Sequence, residues 1–339
     1  MEHSCVQLND LPDEVLLIIF KKLNNVKVLY SLMGINKRLD KILHDSIFTT
    51  NLTLLKYLLY DSIYSLSNSM LDRYCAKILP KINNKIKWLN LESSSMKRIL
   101  LSAKYPNLFG LGIYNIEKET TLRLFTGISF ENSFPTILSS TLLEWHIKVR
   151  TIDDCLYLLD GRFNQLRSFY VHILVSSIHS MLKLNKEKLS NLKNFSLSCG
   201  LKIYFYDKVV IPLLHRMSNL EQLNLYFNCS HEKTFVDGND LKTNILYRLP
   251  QLKSFEFNIR SSIDSINQID LPSNEYIQHT FREFKHKKII SCVDYFPDSN
   301  SGECYVCSYP FTMTRYERIT NNFSKYTAIC GDRYFFNNK

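Results

Sequence analysis

One spacing pattern, apolar-x-x-apolar-x-apolar, returns along most of the chain and limits its fold more than any other feature. It occurs as Ile86/Leu89/Leu91, Leu108/Leu111/Ile113, Leu142/Trp145/Ile147, Leu166/Phe169/Val171, Leu192/Phe195/Leu197, Leu220/Leu223/Leu225 and Leu252/Phe255/Phe257, with a partial first copy at Leu52/Leu54. The last two members of each set lie two residues apart, so on a strand they face one side. The residues between the sets have helical spacing: Met70 to Leu79, Met96 to Ala103, Leu122 to Phe125, Cys155 to Leu159, Ile178 to Leu189, Val209 to Met217 and Leu241 to Leu249. A strand followed by a helix, repeated at short period, predicts an α/β chain. The middle positions 52, 89, 111, 145, 169, 195, 223 and 255 are 37, 22, 34, 24, 26, 28 and 32 residues apart. Three of these spacings exceed about 20–29 residues, the range for the tightest strand-helix repeats. The repetition is therefore real but irregular.

This alternation resembles the right-handed α/β leucine-rich-repeat solenoid, and the resemblance is taken to cover residues 47–339, with a capping segment at about 280–339. The family's Asn, three residues past the last apolar strand position, is matched only by Asn228; Ser94 and Gly200 stand at equivalent places. An interrupted Asn ladder implies uneven curvature. A doubly wound dinucleotide-binding sheet is disfavoured, because Gly110-Leu111-Gly112 lacks the third glycine of a phosphate-binding turn.

If the leucine-type residues point inward, their neighbours form the concave floor. These are Trp88, Asn90, Glu92, Gly110, Gly112, Tyr114, Glu144, His146, Lys148, Ser168, Tyr170, His172, Asn194, Ser196, Ser198, Gln222, Asn224, Tyr226, Ser254, Glu256 and Asn258. Three Glu against one Lys make the floor −2, whereas 42 Lys+Arg against 32 Asp+Glu make the chain +10. A phosphate-tracking surface would have the opposite sign, so no nucleic-acid partner is expected. The densest basic stretch, Lys285, Lys287 and Lys288 around His286, sits beside Glu283 and reads as a solvated strip. Rigid aromatics among amides suit recognition of a protein. The substrate-binding candidates are Trp88, Asn90, Tyr114, His146, Tyr170, His172, Asn224 and Tyr226.

The first residues follow different rules. Leu11-Pro12-Asp13-Glu14 reads as a helix start, with proline at the first helical position and two carboxylates in the first turn. The helix should run to about Leu23 and is apolar around most of its circumference, through Val15, Leu16, Leu17, Ile18, Ile19 and Phe20. A second helix carries Val28, Leu29, Leu32 and Met33, and a third opens on Asn36 as its cap. Three short helices within about 35 residues fall below the roughly 40 that a lone domain needs for an adequate core. Some apolar surface should meet another body.

The stretch LPDEVLLIIFKKLNNVKVLYSLMGINKRLDKIL resembles an F-box, here placed at residues 5–46. Leu11, Pro12, Glu14, Val15, Ile18, Phe20, Leu23, Leu29, Leu32, Ile35, Lys37 and Arg38 match the family pattern, whereas Asn36 and Leu39 stand where the family often has Cys and Trp. The resemblance implies docking onto the Skp-type adaptor of a cullin–RING ubiquitin ligase through Leu11, Pro12, Glu14, Val15, Ile18, Ile19, Leu23, Leu29, Leu32 and Ile35. The implied function is that of a non-enzymatic substrate receptor of an SCF-type ligase in ubiquitin-dependent protein degradation. The competing reading is a non-degradative repeat scaffold whose N-terminal helices merely cap the repeats.

No nucleophile elbow, phosphate-binding loop or His-Glu-x-x-His helix occurs, and no cofactor is expected. His146 and His172, near Glu144 and Tyr170, have the residue types of an acid–base pair, but floor histidines at binding surfaces are commoner than catalytic ones. Cys292, Cys304, Cys307 and Cys330 have the number for a thiolate zinc site. However, residues 291–308 read as a hairpin, and on a strand Cys304 and Cys307 would face opposite sides. No metal is expected. Nine scattered cysteines, the absence of a leader in MEHSCVQLND and the absence of a long apolar run predict a cytoplasmic or nuclear protein with no membrane partner.

Overall fold

The computed structural model describes residues 8–57, 63–116, 141–160, 163–175, 187–230, 234–264, 270–284 and 288–309. Its contacts divide the chain into two compact units, Met1–Arg150 and Thr151–Lys339. Leu122 to Phe125, most of Ile178 to Leu189, Lys285 to Lys287 and Cys330 lie outside the described residues. No helix among the described residues is long and apolar enough to cross a membrane.

The first unit opens with α1 (Asp13–Lys21), α2 (Asn25–Leu32), α3 (Lys37–Leu43) and α4 (Ser46–Thr49). Their starts are set by short polar side chains that satisfy orphan amides. Asn24 accepts from Lys27 N, Asn36 from Leu39 N at 2.8 Å, and Asp45 from Ile47 N. Five strands follow, β1 (Asn51–Tyr57), β2 (Ile63–Ser65), β3 (Trp88–Glu92), β4 (Gly110–Ile116) and β5 (Glu144–Val149), in the order β2-β1-β3-β4-β5. All pair in parallel except the β1–β2 hairpin. Register aligns Leu52, Leu89, Leu111 and Trp145 in one row, and Leu54, Leu91, Ile113 and Ile147 in the next. All eight are buried, each contributing about 1.5–3 kcal/mol of hydrophobic stabilisation. The recurring apolar spacing of the sequence is thus the core of the sheet.

The second unit opens with α8 (Ile152–Leu158), where Thr151 and Asp154 form a reciprocal capping box. Its strands are β6 (Ser168–Ile173), β7 (Asn194–Ile203), β8 (Gln222–Ser230), β9 (Ser254–Asp264), β10 (Lys288–Phe296) and β11 (Ser301–Tyr309), in the order β6-β7-β8-β9-β11-β10. The first four pair in parallel and align Phe169, Phe195, Leu223 and Phe255, then Val171, Leu197, Leu225 and Phe257. The last two form the antiparallel hairpin expected from residues 291–308, turning through Asn300 at φ 45°. The second strand of that hairpin, β11, lies against β9 and leaves β10 outermost. The molecule is therefore mixed α/β with a mostly parallel sheet in each unit.

Helices fill the connections: α5 (Asn68–Arg73), α6 (Leu79–Ile82) and α7 (Ser93–Ser102) in the first unit, and α9 (Ile211–Leu214), α10 (Gly238–Leu241) and α11 (Asn274–Thr280) in the second. Four of them, α5, α6, α9 and α10, adjoin three five-residue π-helical turns at Tyr74–Ile78, Tyr206–Val210 and Lys242–Leu246. In the first two a proline follows, Pro80 and Pro212. Proline brings no amide, and its ring crowds the carbonyl four residues back, of Ala76 or Lys208; a wider turn relieves both. The tyrosine opening each of these turns is buried and donates its hydroxyl, Tyr74 to Val26 O at 2.5 Å and Tyr206 to Asp240 Oδ2 at 2.8 Å. Together with Arg73, whose guanidinium donates to Met33 O, Tyr74 ties the N-terminal helices to the strand region of the same unit.

A charge ladder crosses β7, β8 and β9 just before their first residues. Glu221 accepts from Lys193 Nζ at 2.5 Å and Lys253 Nζ at 2.6 Å, and the two ammonium groups hold its carboxyl down at about 2. A depressed carboxylate stabilises the fold above its ordinary value of 4.5 and loses that contribution as pH falls through 4.5 toward about 2. Thermal melts across that window should show a steeper acid loss for the native chain than for a Lys193→Met/Lys253→Met variant. Equal slopes would show the ladder to be energetically silent.

Candidate functional site

Successive helical residues turn by about 100°. Val15, Ile18 and Ile19 of α1 therefore share one sector, and Leu16 and Phe20 share another. The second sector is buried at 0% and 2% exposure, while Val15, Ile18 and Ile19 remain 38%, 60% and 38% exposed. Leu23, just past the helix end, is 53% exposed and Ile35, on the loop before α3, is 60% exposed. Pro12 and Glu14 are exposed, and Leu11 and Leu32 partly so.

Two expectations need correction. Leu29 is fully buried, so it supports the face from beneath and cannot touch a partner. The helix starts at Asp13 with Pro12 at its cap position and ends at Lys21, because Lys22 and Leu23 turn back onto Ile19 O and Phe20 O. The start of α1 is held by Arg38, which the sequence matched without assigning it a task. Its Nε donates to Asp13 Oδ1 at 2.6 Å, and its Nη2 to the carbonyl of Leu11. One guanidinium thereby fixes the Leu11-Pro12 step against α3.

The second candidate surface is the half-exposed face of the strands, opposite the buried rows. In the first unit Trp88, Gly110 and Glu144 form one row, and Asn90, Gly112 and His146 the next. The indole of Trp88 lies over β4, where a Cβ at Gly110 would sit 1.9 Å from a ring carbon and one at Gly112 would sit 2.1 Å from Asn90 Oδ1. A side chain at either glycine would have to displace Trp88 or Asn90. Trp88 Nε1 donates to Asn90 Oδ1 at 2.9 Å, and Asn90 Nδ2 donates to Thr53 Oγ1 at 3.1 Å. His146 stands edge-on to Trp88 with centroids 5.0 Å apart, its Nε2 2.8 Å from Glu144 Oε1. Tyr114 is half-buried on the following row. Glu92, counted with the floor on sequence grounds, is instead 8% exposed and turned to cap α7, accepting from Ser94 N at 2.9 Å.

In the second unit Tyr170, His172, Asn224 and Tyr226 lie half-buried on the corresponding face. His172 Nδ1 meets Ser198 Oγ at 2.7 Å, and Tyr226 OH reaches Glu256 Oε2 at 3.4 Å. His146 and His172 are thus each engaged by a neighbour within their own unit. Farther along, Arg260 pairs with Glu303, and Ile290, Cys292 and Cys307 form a buried patch with Tyr305 and Tyr309 against it.

Cys304 aligns with Ser261 and Cys229, whereas Cys307 aligns with Asn258, so alternation sends the two thiols to opposite sides as the hairpin reading expected. No group of three His, Cys, Asp or Glu able to hold a metal occurs among the described residues. Burial pushes the thiols of Cys155 and Cys292 up to about 12 and raises those of Cys75, Cys199, Cys229 and Cys304. None of these is a ready thiolate nucleophile.

No protein-family model matches the sequence, and no curated protein matches it at a significant level. The class that fold and faces define is a mixed α/β protein with mostly parallel sheets, an exposed apolar helix near its N-terminus and an aromatic, amide-rich strand face.

Proposed function

We propose that the chain is the substrate-recognition subunit of an SCF-type cullin–RING ubiquitin ligase, built as an F-box followed by an irregular leucine-rich-repeat solenoid. The observation that carries this reading is the pair of apolar sectors on α1, one buried and one left to solvent beside Leu11-Pro12. An apolar sector with no cover among the described residues is the surface a Skp-type adaptor would bury, and the motif residues Val15 and Ile18 lie on it. The half-exposed strand face then holds the target protein. The chain itself makes and breaks no bonds; it brings a target lysine near a conjugating enzyme carried by the cullin, in the cytoplasm or nucleus.

The test is capture of a purified Skp-type adaptor by the full chain beside its Leu11→Ala/Pro12→Ala variant. Capture by the native chain and loss in the variant is the expected result. No adaptor bound to the native chain would overturn the proposal and leave the repeat-scaffold reading in its place.

A further inference from the structure

Trp88 is held more rigidly than a surface tryptophan needs to be. One ring face rests on the glycine strand, the indole N–H is fixed by Asn90, and Asn90 is fixed by Thr53. Its ring neighbours, Phe109 and His146, lie in T-shaped arrangements with it, at interplanar angles of 73° and 82°. Trp88 is partly exposed, and no cation–ring pair among the described residues uses it.

The polar groups around the ring are largely spent on one another. Asn90 serves Trp88 and Thr53, and His146 is engaged with Oε1 of Glu144, a carboxylate whose side chain is 32% exposed. Among the described residues, what remains for a ligand is the exposed part of the indole with Glu144 Oε2 in the same row. A sugar would need more free donors and acceptors than this, and a nucleotide would bring its phosphate against Glu144. A cation is favoured by both groups at once. The other formal charge on this face of β5, Lys148, stands four residues beyond Glu144, or about 13 Å along the strand.

We infer that the strand face of the first unit binds an arginine or lysine side chain presented by the protein that docks there, stacked on Trp88 and paired with Glu144. This rests on the strand face being the target-binding face, and does not depend on the adaptor reading.

The peptide acetyl-Gly-Arg-Gly-Arg-Gly-amide, titrated into the full chain, should perturb tryptophan emission. The chain's other tryptophan, Trp145, is fully buried, and a Trp88→Phe variant should lose the signal. Glu144→Gln, which keeps an acceptor for His146, should bind about three- to tenfold more weakly, and the citrulline peptide should bind the native chain no better than that variant binds arginine. Equal affinity for the arginine and citrulline peptides overturns the inference. So does a stronger response to a chito-oligosaccharide or an oligouridylate. Adaptor capture by Glu144→Gln should match the native chain, so failure of the docking-helix reading would appear in that assay and failure of this one in the titration.

Discussion

Ile18→Glu is expected to abolish adaptor capture while leaving the melting temperature of the chain unchanged. Ile18 is 60% exposed on the open sector of α1, and substitutions at such positions usually alter stability by no more than about 0.5 kcal/mol. In a complex, however, the new carboxylate would be buried without a partner, at several kcal/mol, which is a loss of at least about a hundredfold in affinity. Leu29→Ala supplies the contrast. Leu29 is fully buried beneath the same helices, so its truncation should cost about 2–5 kcal/mol of stability and weaken capture only by unfolding the face. Calorimetric melts with adaptor pull-down separate the two cases. Normal capture by a well-folded Ile18→Glu chain would remove the open sector from the interface.

Gly238→Ala should be among the most damaging one-carbon additions in the second unit. A Cβ there would stand 2.3 Å from the carbonyl oxygen of Thr280 and 2.8 Å from its hydroxyl, which already accepts from Gly238 N at 2.8 Å. The obstacle is backbone at the end of α11, so relief requires moving a helix rather than rotating a side chain. A cost of about 1–3 kcal/mol is expected. Gly200→Ala is the control, because nothing lies within 4 Å of the added carbon and its effect should stay within about 0.5 kcal/mol. Denaturant midpoints measure both, and equal midpoints for the two variants would show that α11 yields freely.

The buried rows were readable because a period of two needs nothing beyond local sequence. Leu89 and Leu91, or Leu223 and Leu225, lie two apart and face the core as alternation requires. What escaped reading depended on contacts distant in sequence. Ile18 and Leu29 are equally apolar in sequence, and only packing within the unit exposes one and buries the other. Glu92 looked like a floor residue because the helical spacing began at Met96, whereas α7 starts at Ser93 and takes the carboxylate as its cap. Gly110 and Gly112 read as floor positions and as an incomplete nucleotide loop; the structure adds that they clear space for Trp88 and Asn90 on the neighbouring strand. The order β9-β11-β10 was likewise hidden, since either strand of a hairpin can satisfy the last open edge.

Within each unit the rows stay aligned although the chain between neighbouring strands varies in length. The span from Leu52 to Leu89 is 37 residues and that from Leu89 to Leu111 is 22, yet the three leucines stand opposite one another. Closing the longer connection costs well under about 1 kcal/mol more than closing the shorter one. Insertions and deletions can therefore accumulate in the connections without displacing any residue of the aligned strand rows. A lineage of such chains is free to change length and strand-face composition as separate characters, the first by indels between strands and the second by point substitutions at alternate strand positions.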